Sequence, residues 1–377
     1  MKFVIAIDSF KGSMTSVEAG NAARDGILKA CPTAEVIVKP IADGGEGTVD
    51  ALISGLNGTK RDVFVSNPLG RKIKTEYGII GDTAVIEMSA ASGIALIEKS
   101  ELNPLVTTTL GVGEMILDAI KYGCRNFIIG IGGSATNDGG IGMLSALGYE
   151  FLDKDGNKVE LSGGGLENIM DIKTEKVLPE LAECTFNVAC DVTNPLCGEN
   201  GCSAIFGPQK GATPDDIIRL DIGMKNYAKI TKQKISFIDE NFPGAGAAGG
   251  LGFAFMAYLN GKLKSGIKLI LEQINLEESI KWADFVITGE GRLDAQTFMG
   301  KAPAGIAELA KKHQKPVLAF AGCVTDDAVL CNEHGIDALF PIVQGACTLE
   351  EAMDNNTARN NMTKTLEQVT RLIFSFK

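Results

Sequence analysis

Short apolar runs in this chain repeatedly give way to loops that mix glycine with Asp, Glu, Ser, Thr or Lys, and few folds accommodate that pattern. Six such clusters occur, at residues 8–13, 42–48, 130–140, 191–198, 244–252 and 288–294. A parallel sheet buried on both faces produces it, because its strands are apolar throughout and its polar loops collect at the carboxyl edge. The first cluster follows Phe3-Val4-Ile5-Ala6-Ile7. Thr15-Ser16-Val17-Glu18 then reads as a capping box, and Val17, Ala19, Ala22, Ala23, Ile27 and Leu28 repeat at helical spacing until Cys31-Pro32. With a strand at 35–39 this is a β-α-β opening. Glycine supplies 45 of 377 residues, about 12% against an average near 7%, and the excess sits in clusters rather than in linkers.

Near residue 60 the pattern changes. Runs at 61–66, 73–80 and 83–88 read as short strands, the last two joined at Gly81-Asp82, a hairpin turn. A helix is expected over 110–120, stopped by Gly123, followed by strands at 126–131 and 185–189. Thr213-Pro214-Asp215-Asp216 starts another helix, and the fifth cluster runs into an apolar helix at 253–259. Alternation then resumes, with a strand at 285–288, a helix at 304–312, strands at 316–320 and 338–341 and a closing helix over 357–374. The expected fold class is α/β in two domains. Residues 1–65 and 280–377 form a discontinuous Rossmann-like parallel-sheet domain and residues 66–279 an inserted mixed α/β domain.

Composition removes several functions. Lys plus Arg number 36 against 47 Asp plus Glu, a net charge of −11, which repels phosphate polymers and argues against nucleic-acid binding. No apolar run reaches the roughly 18 residues of a membrane span, and the apolar start is too short for a signal peptide. The nine cysteines include no C-x-x-C pair and read as reduced thiols of a cytoplasmic protein. With only two histidines, acid–base work falls to carboxylates and lysines.

Glycine lets backbone N–H groups approach a phosphate closely, and nearby Asp, Asn and Glu can hold Mg²⁺. Lys11 and Arg292 are suited to neutralising a moving phosphoryl group. No G-x-x-x-x-G-K-[ST] loop exists, since Gly300-Lys301 lacks the earlier Gly and the following Ser or Thr, and no H-R-D or D-F-G pattern occurs. Gly130, Gly132 and Ala135 approximate a dinucleotide fingerprint with Glu150 beyond, which leaves an NAD-dependent oxidoreductase of a hydroxy acid as the alternative. Asn137-Asp138-Gly139-Gly140 interrupts the helix that such a fingerprint needs. A non-catalytic binding protein on the same scaffold is a further alternative.

Taken together, DSFKGS at 8–13, ADGGEGT at 42–48, NPLGR at 67–71, GGSATNDGG at 132–140, DVTNPLCG at 191–198, GAAGGLG at 246–252 and TGEGRLD at 288–294 resemble the bacterial type 1 glycerate kinases. The resemblance implies ATP-dependent phosphorylation of D-glycerate, usually to 2-phosphoglycerate, although a 3-phosphoglycerate-forming kinase stays open, as does a homodimer. It implies ATP and Mg²⁺ as cofactors and an active site in the cleft between the two domains. On that basis Asp191 is expected as the base, acting with Lys11 and Asp43, while Arg71, Glu46, Ser9 and Asn194 bind substrate. Gly132, Gly133, Ser134, Thr136, Asn137, Glu290, Arg292 and Asp294 are expected to contact ATP, and Asp138 the metal. Blander roles compete: Asp191 ordering its turn, Arg71 a solvated turn charge, Asp43 and Glu46 bracing glycines, Arg292 pairing with Asp294. Cys197 is read as packing.

Overall fold

The computed structural model describes residues 1–42, 47–295, 297 and 301–375. The chain opens with β1 (Lys2–Ile7) and β2 (Glu35–Val38) and continues through β3 (Thr59–Ser66), β4 (Lys72–Ile80), β5 (Thr83–Glu87), β6 (Asn126–Gly130), β7 (Glu150–Leu152), β8 (Asp171–Lys173), β9 (Thr185–Ala189) and β10 (Lys262–Lys264). It closes with β11 (Phe285–Leu293), β12 (Val317–Val324) and β13 (Ala338–Pro341). These strands belong to two compact units. The terminal unit takes β1, β2 and the chain from Ile267 onward, with Asp50–Asn57, and the middle unit holds Gly58–Gly266.

The terminal unit carries a five-stranded sheet in the order β13-β12-β11-β1-β2, with every pair parallel. Phe3, Ile5 and Ile7 project to one face and pack with Ala19, Ala23 and Ile27 of helix Ser16–Ala30 and with Met362 and Leu366 of helix Asn355–Ser375. Val4 and Ala6 face the other way and are equally buried, which explains the unbroken apolar run of a strand covered on both faces. Each such Phe or Ile contributes about 1.5–3 kcal/mol on burial. The expected capping box is present: Glu18 N–H donates to Thr15 Oγ1 at 3.2 Å, and Thr15 N–H donates to Glu18 Oε2 at 2.9 Å.

The middle unit carries a six-stranded mixed sheet, β10-β9-β6-β5-β4-β3. The β3-β4-β5 meander is antiparallel, with Gly81 at φ 60 in its hairpin, and β5, β6, β9 and β10 run parallel. Gly123 ends helix Leu110–Tyr122 in the left-handed conformation, φ 111, as a C-terminal glycine does. β7 and β8 pair separately. Among the described residues no helix is long and apolar enough to cross a membrane.

Two clusters depart from the strand-then-loop expectation. Residues 288–294 do not follow a strand, because β11 continues through Leu293. The run at 285–288 looked complete only because the apolar residues stop at Thr288, while β1 pairs on to Gly289 and β12 on to Leu293. The fifth cluster follows no strand; it leads into helix Ala247–Leu259, whose Ala248, Gly249 and Gly250 have φ of 51, 65 and 91.

Candidate active site

In the middle unit the register Gly130↔Ala189 sets the ends of β6 and β9 side by side. The loop after β6 and the loop after β9 therefore leave the same carboxyl edge on adjacent parallel strands, where α/β sheets bind ligands. The loop at 131–140 is anchored from several directions. Ala135 N–H donates to Ser92 O at 2.9 Å, Thr107 Oγ1 to Ala135 O at 3.0 Å, and Gly139 N–H to Gly249 O at 2.9 Å. Among the described residues no hydrogen bond engages the amides of Gly132, Gly133, Thr136 or Asn137.

Within this loop the side chains divide. Gly132 and Gly133 are exposed and Ser134 is buried at 8% exposure, whereas Thr136, Asn137 and Asp138 are wholly buried. Asn137 donates through Nδ2 to buried Ser203 Oγ at 2.9 Å. The Asp138 carboxylate accepts from Thr109 N–H at 2.8 Å, Thr109 Oγ1 at 2.7 Å, Gly140 N–H at 3.1 Å and Gly142 N–H at 3.3 Å. Burial pushes its carboxyl above the usual range, against the pull of these donors. With four donors turned on it, Asp138 does not fit a metal ligand; it ties the loop to residues 109 and 140–142. Thr136 Oγ1 and Asn137 Oδ1 are buried with no partner among the described residues.

The fifth cluster lies beneath both loops. A Cβ at Gly249 would sit 2.1 Å from Thr136 O, one at Gly250 2.9 Å from Gly139 Cα, and one at Gly246 2.2 Å from Pro195 O. These glycines exist so that backbones can touch. In the fourth cluster Asn194 O accepts from Gly246 N–H at 3.0 Å, and Asn194 Nδ2 donates to Asn200 O at 2.9 Å. Asp191 is exposed just beyond β9, with Oδ1 accepting from Gly266 N–H at 2.9 Å. Burial pushes the Cys197 thiol up to about 12, which suits packing rather than nucleophilic attack.

Arg71 ends a turn built by Asn67, whose Oδ1 accepts from Leu69 N–H at 3.0 Å and Arg71 N–H at 2.9 Å. Its guanidinium is half-exposed and forked onto Glu101, at 2.6 and 3.3 Å. That guanidinium holds the Glu101 carboxyl below the usual range.

In the terminal unit Ser9 N–H donates to Asp8 Oδ1 at 2.6 Å, and Lys11 is exposed beyond β1. β1 pairs with β11 as far as Ile7↔Gly289. Strand alternation puts Glu290 and Arg292 on one face. Asp294 follows: Arg292 Nε lies 3.3 Å from its Oδ2, while Lys301 Nζ lies 3.7 Å from Glu290 Oε2 and 3.8 Å from Asp294 Oδ1. Thr297 Oγ1 donates to Glu290 Oε1 at 2.8 Å. Both carboxylates are largely buried, at 13% and 17% side-chain exposure, and Arg292 is 64% exposed. Sequence spacing brings Glu290 and Asp294 together only in a helix; here a strand and a shared lysine do so. Asp43 and Glu46 lie outside the described residues.

Three residues at these sites were missed by motif reading. Thr109 and Ser203 carry no motif signal. Lys210, in Phe206-Gly207-Pro208-Gln209-Lys210-Gly211, could have been noticed as a lysine framed by turn residues. It is buried, and its Nζ donates to Thr136 O at 2.6 Å. The dinucleotide alternative loses its geometry, because a ten-residue loop separates β6 from helix Ile141–Ala146. Among the described residues no group of three or more His, Cys, Asp or Glu side chains is placed to hold a metal.

The model of the glycerate kinase family matches residues 3–374. An Escherichia coli K12 protein named glycerate 2-kinase is 49% identical over 354 residues, 93% of each chain. A Haemophilus influenzae protein named glycerate kinase is 45% identical over 375 residues, 99% of each. A crystal structure of a Salmonella typhimurium LT2 protein assigned as glycerate kinase 2 superposes with TM-score 0.92 at 43% identity, covering 100% of this chain and 98% of that one.

Proposed function

Because the chain belongs to the glycerate kinase family, we propose that it transfers the γ-phosphoryl group of ATP to D-glycerate and forms 2-phosphoglycerate. It is a phosphotransferase, so it takes a phosphate donor. The observation that carries the reading is the β6–β9 pairing, which gathers an amide-lined loop and an exposed carboxylate at one carboxyl edge. The name of the E. coli relative supports the 2-position.

Phosphoryl transfer asks the protein mainly for positioning and charge stabilisation. The amides of Gly132, Gly133 and Ser134, at the outer part of the loop, receive donor phosphate oxygens. Thr136 and Asn137, wholly buried, hold that loop from within through Lys210 and Ser203. Arg292 supplies positive charge for the transferred group, with Lys301 beside it. Glu290 and Asp294 fit a Mg²⁺ site, since two carboxylates already share one cation there and Mg²⁺ takes one or two carboxylates plus phosphates. That ion would neutralise charge on the donor phosphates. Asp191 accepts the hydroxyl proton of glycerate as the new O–P bond forms. For glycerate the middle unit offers Arg71, a cation for its carboxylate, and Asn194, and the terminal unit offers Lys11 and Ser9, with Asp43 and Glu46 assigned to the substrate hydroxyls.

The test is ADP release from purified protein with MgATP and D-glycerate, against L-glycerate and no substrate, with the product fed to enolase. Glycerate-dependent ADP release with an enolase signal supports both kinase and 2-position. Release without that signal moves the phosphate to the 3-position, and no release removes the reading. Asp191→Asn is expected to lower kcat by about 10²–10⁴ with little change in melting temperature.

A further inference from the structure

Lys210 is 1% exposed inside the middle unit, and a buried ammonium persists only where its surroundings compensate the lost water. Its Nζ donates to Thr136 O at 2.6 Å, on the side away from solvent. The titratable groups that act on it are the Cys202 thiol and the Asp138 carboxyl, both fully buried, and burial holds the lysine at about 8 despite them. A methionine would fill similar volume at lower cost, so the charge calls for an explanation.

The geometry of the loop supplies one. A trans peptide points its C=O and the following N–H in opposite directions. With Thr136 O held on Lys210, the Asn137 N–H is aimed away from the ammonium, and no described residue receives it. The same carbonyl lies against Gly249, where a Cβ would come within 2.1 Å. Thr136 is thus gripped from within, while its Oγ1 and Asn137 Oδ1 stay unpartnered.

We propose that Lys210 is a positioning residue for the phosphate donor: its ammonium fixes the Thr136 carbonyl at the buried end of the loop and places a buried positive charge behind the loop whose exposed glycines receive the donor's phosphates. The proposal rests on the donor-loop reading given above. It separates donor binding from glycerate binding, because among the described residues the side-chain hydrogen bond of Lys210 goes to Thr136 O and to no residue assigned to glycerate.

Calorimetric titration of MgADP and of D-glycerate into wild type, Lys210→Met and Lys210→Arg tests it, with melting temperatures recorded. Lys210→Met should weaken ADP binding about tenfold or more, the loss of one charge-assisted hydrogen bond, and leave glycerate within about twofold. Lys210→Arg, which keeps the charge, should recover part of the ADP affinity. Unchanged ADP affinity in Lys210→Met overturns the proposal, and so does an equal loss for both ligands that tracks a fall in melting temperature. Should both variants fail to fold, wild type labelled with ¹³C at lysine Cε decides: the resonance titrating below the others must shift with ADP and not with glycerate, and indifference to ADP overturns the idea. Wild type that binds glycerate but no nucleotide removes the donor-loop reading itself, and the proposal with it.

Discussion

In residues 246–252 of the middle unit, glycines stand where another backbone occupies the room of a side chain, whereas in residues 288–294 of the terminal unit Gly291 merely spaces charged residues along a strand. A Cβ at Gly249 would lie 2.1 Å from Thr136 O and would have to adopt φ +65; one at Gly291 would meet nothing nearer than Phe10 Cα at 3.5 Å. Gly289 is an intermediate case, in the second stretch yet pressed against Phe320 O. The carboxylates differ in the same way. Asp138 is saturated by uncharged donors and faces inward, while Glu290 and Asp294 share a lysine. Glycine and Asp in a loop therefore mark either a scaffold or a binding surface, and the partners they meet, packed backbone and uncharged donors or open space and cations, decide which.

The sharpest break of this contrast is a pair of alanines. Gly249→Ala should cost about 3 kcal/mol or more, from a left-handed backbone and a clash with a fixed carbonyl. Gly291→Ala should stay within about 0.5 kcal/mol. Urea unfolding measures both, and equal effects would remove the distinction. Next comes Asp138→Asn. Replacing one oxygen by an NH₂ group sets donor against donor in a buried site, at about 3 kcal/mol, whereas Asp294→Asn should cost under about 1 kcal/mol while reducing turnover. If Asp138→Asn instead keeps its stability and loses Mg²⁺ dependence, the inward assignment of Asp138 is wrong.

The parallel-sheet opening and the returning C-terminal alternation were legible in the sequence because apolar runs, capping residues and Gly-Asp turns are local signals. Thr15 and Glu18 form their box, and Gly81 and Gly123 end their elements as glycine should. The extension of β11 through charged residues was not legible, since it depends on pairing with β12 beyond the point where β1 ends. The site was legible as a set of loops and illegible in orientation. Nothing local says that Thr136 and Asn137 turn inward, because that follows from Lys210, Ser203 and Gly249, which lie 66 or more residues away in sequence.

The smallest effect on stability, and the finest test of the outward-facing class, is at Arg71. Its fork onto Glu101 is solvent-exposed, and such pairs add little to stability. Neither Arg71→Gln nor Glu101→Gln should move the melting temperature measurably. Their effects on catalysis should be opposite. A guanidinium that clamps the glycerate carboxylate must exchange Glu101 for substrate, so Glu101 competes with the ligand. Glu101→Gln removes a charged competitor and should lower the KM for glycerate severalfold, about the value of one exposed ion pair. Arg71→Gln should raise the same KM by tenfold or so, the loss of a charge-assisted contact. The KM for the nucleotide should stay put in both. Initial-rate kinetics with each substrate varied separates these outcomes, and two variants that shift glycerate KM in the same direction would return Arg71 to the role of a turn charge held by Glu101.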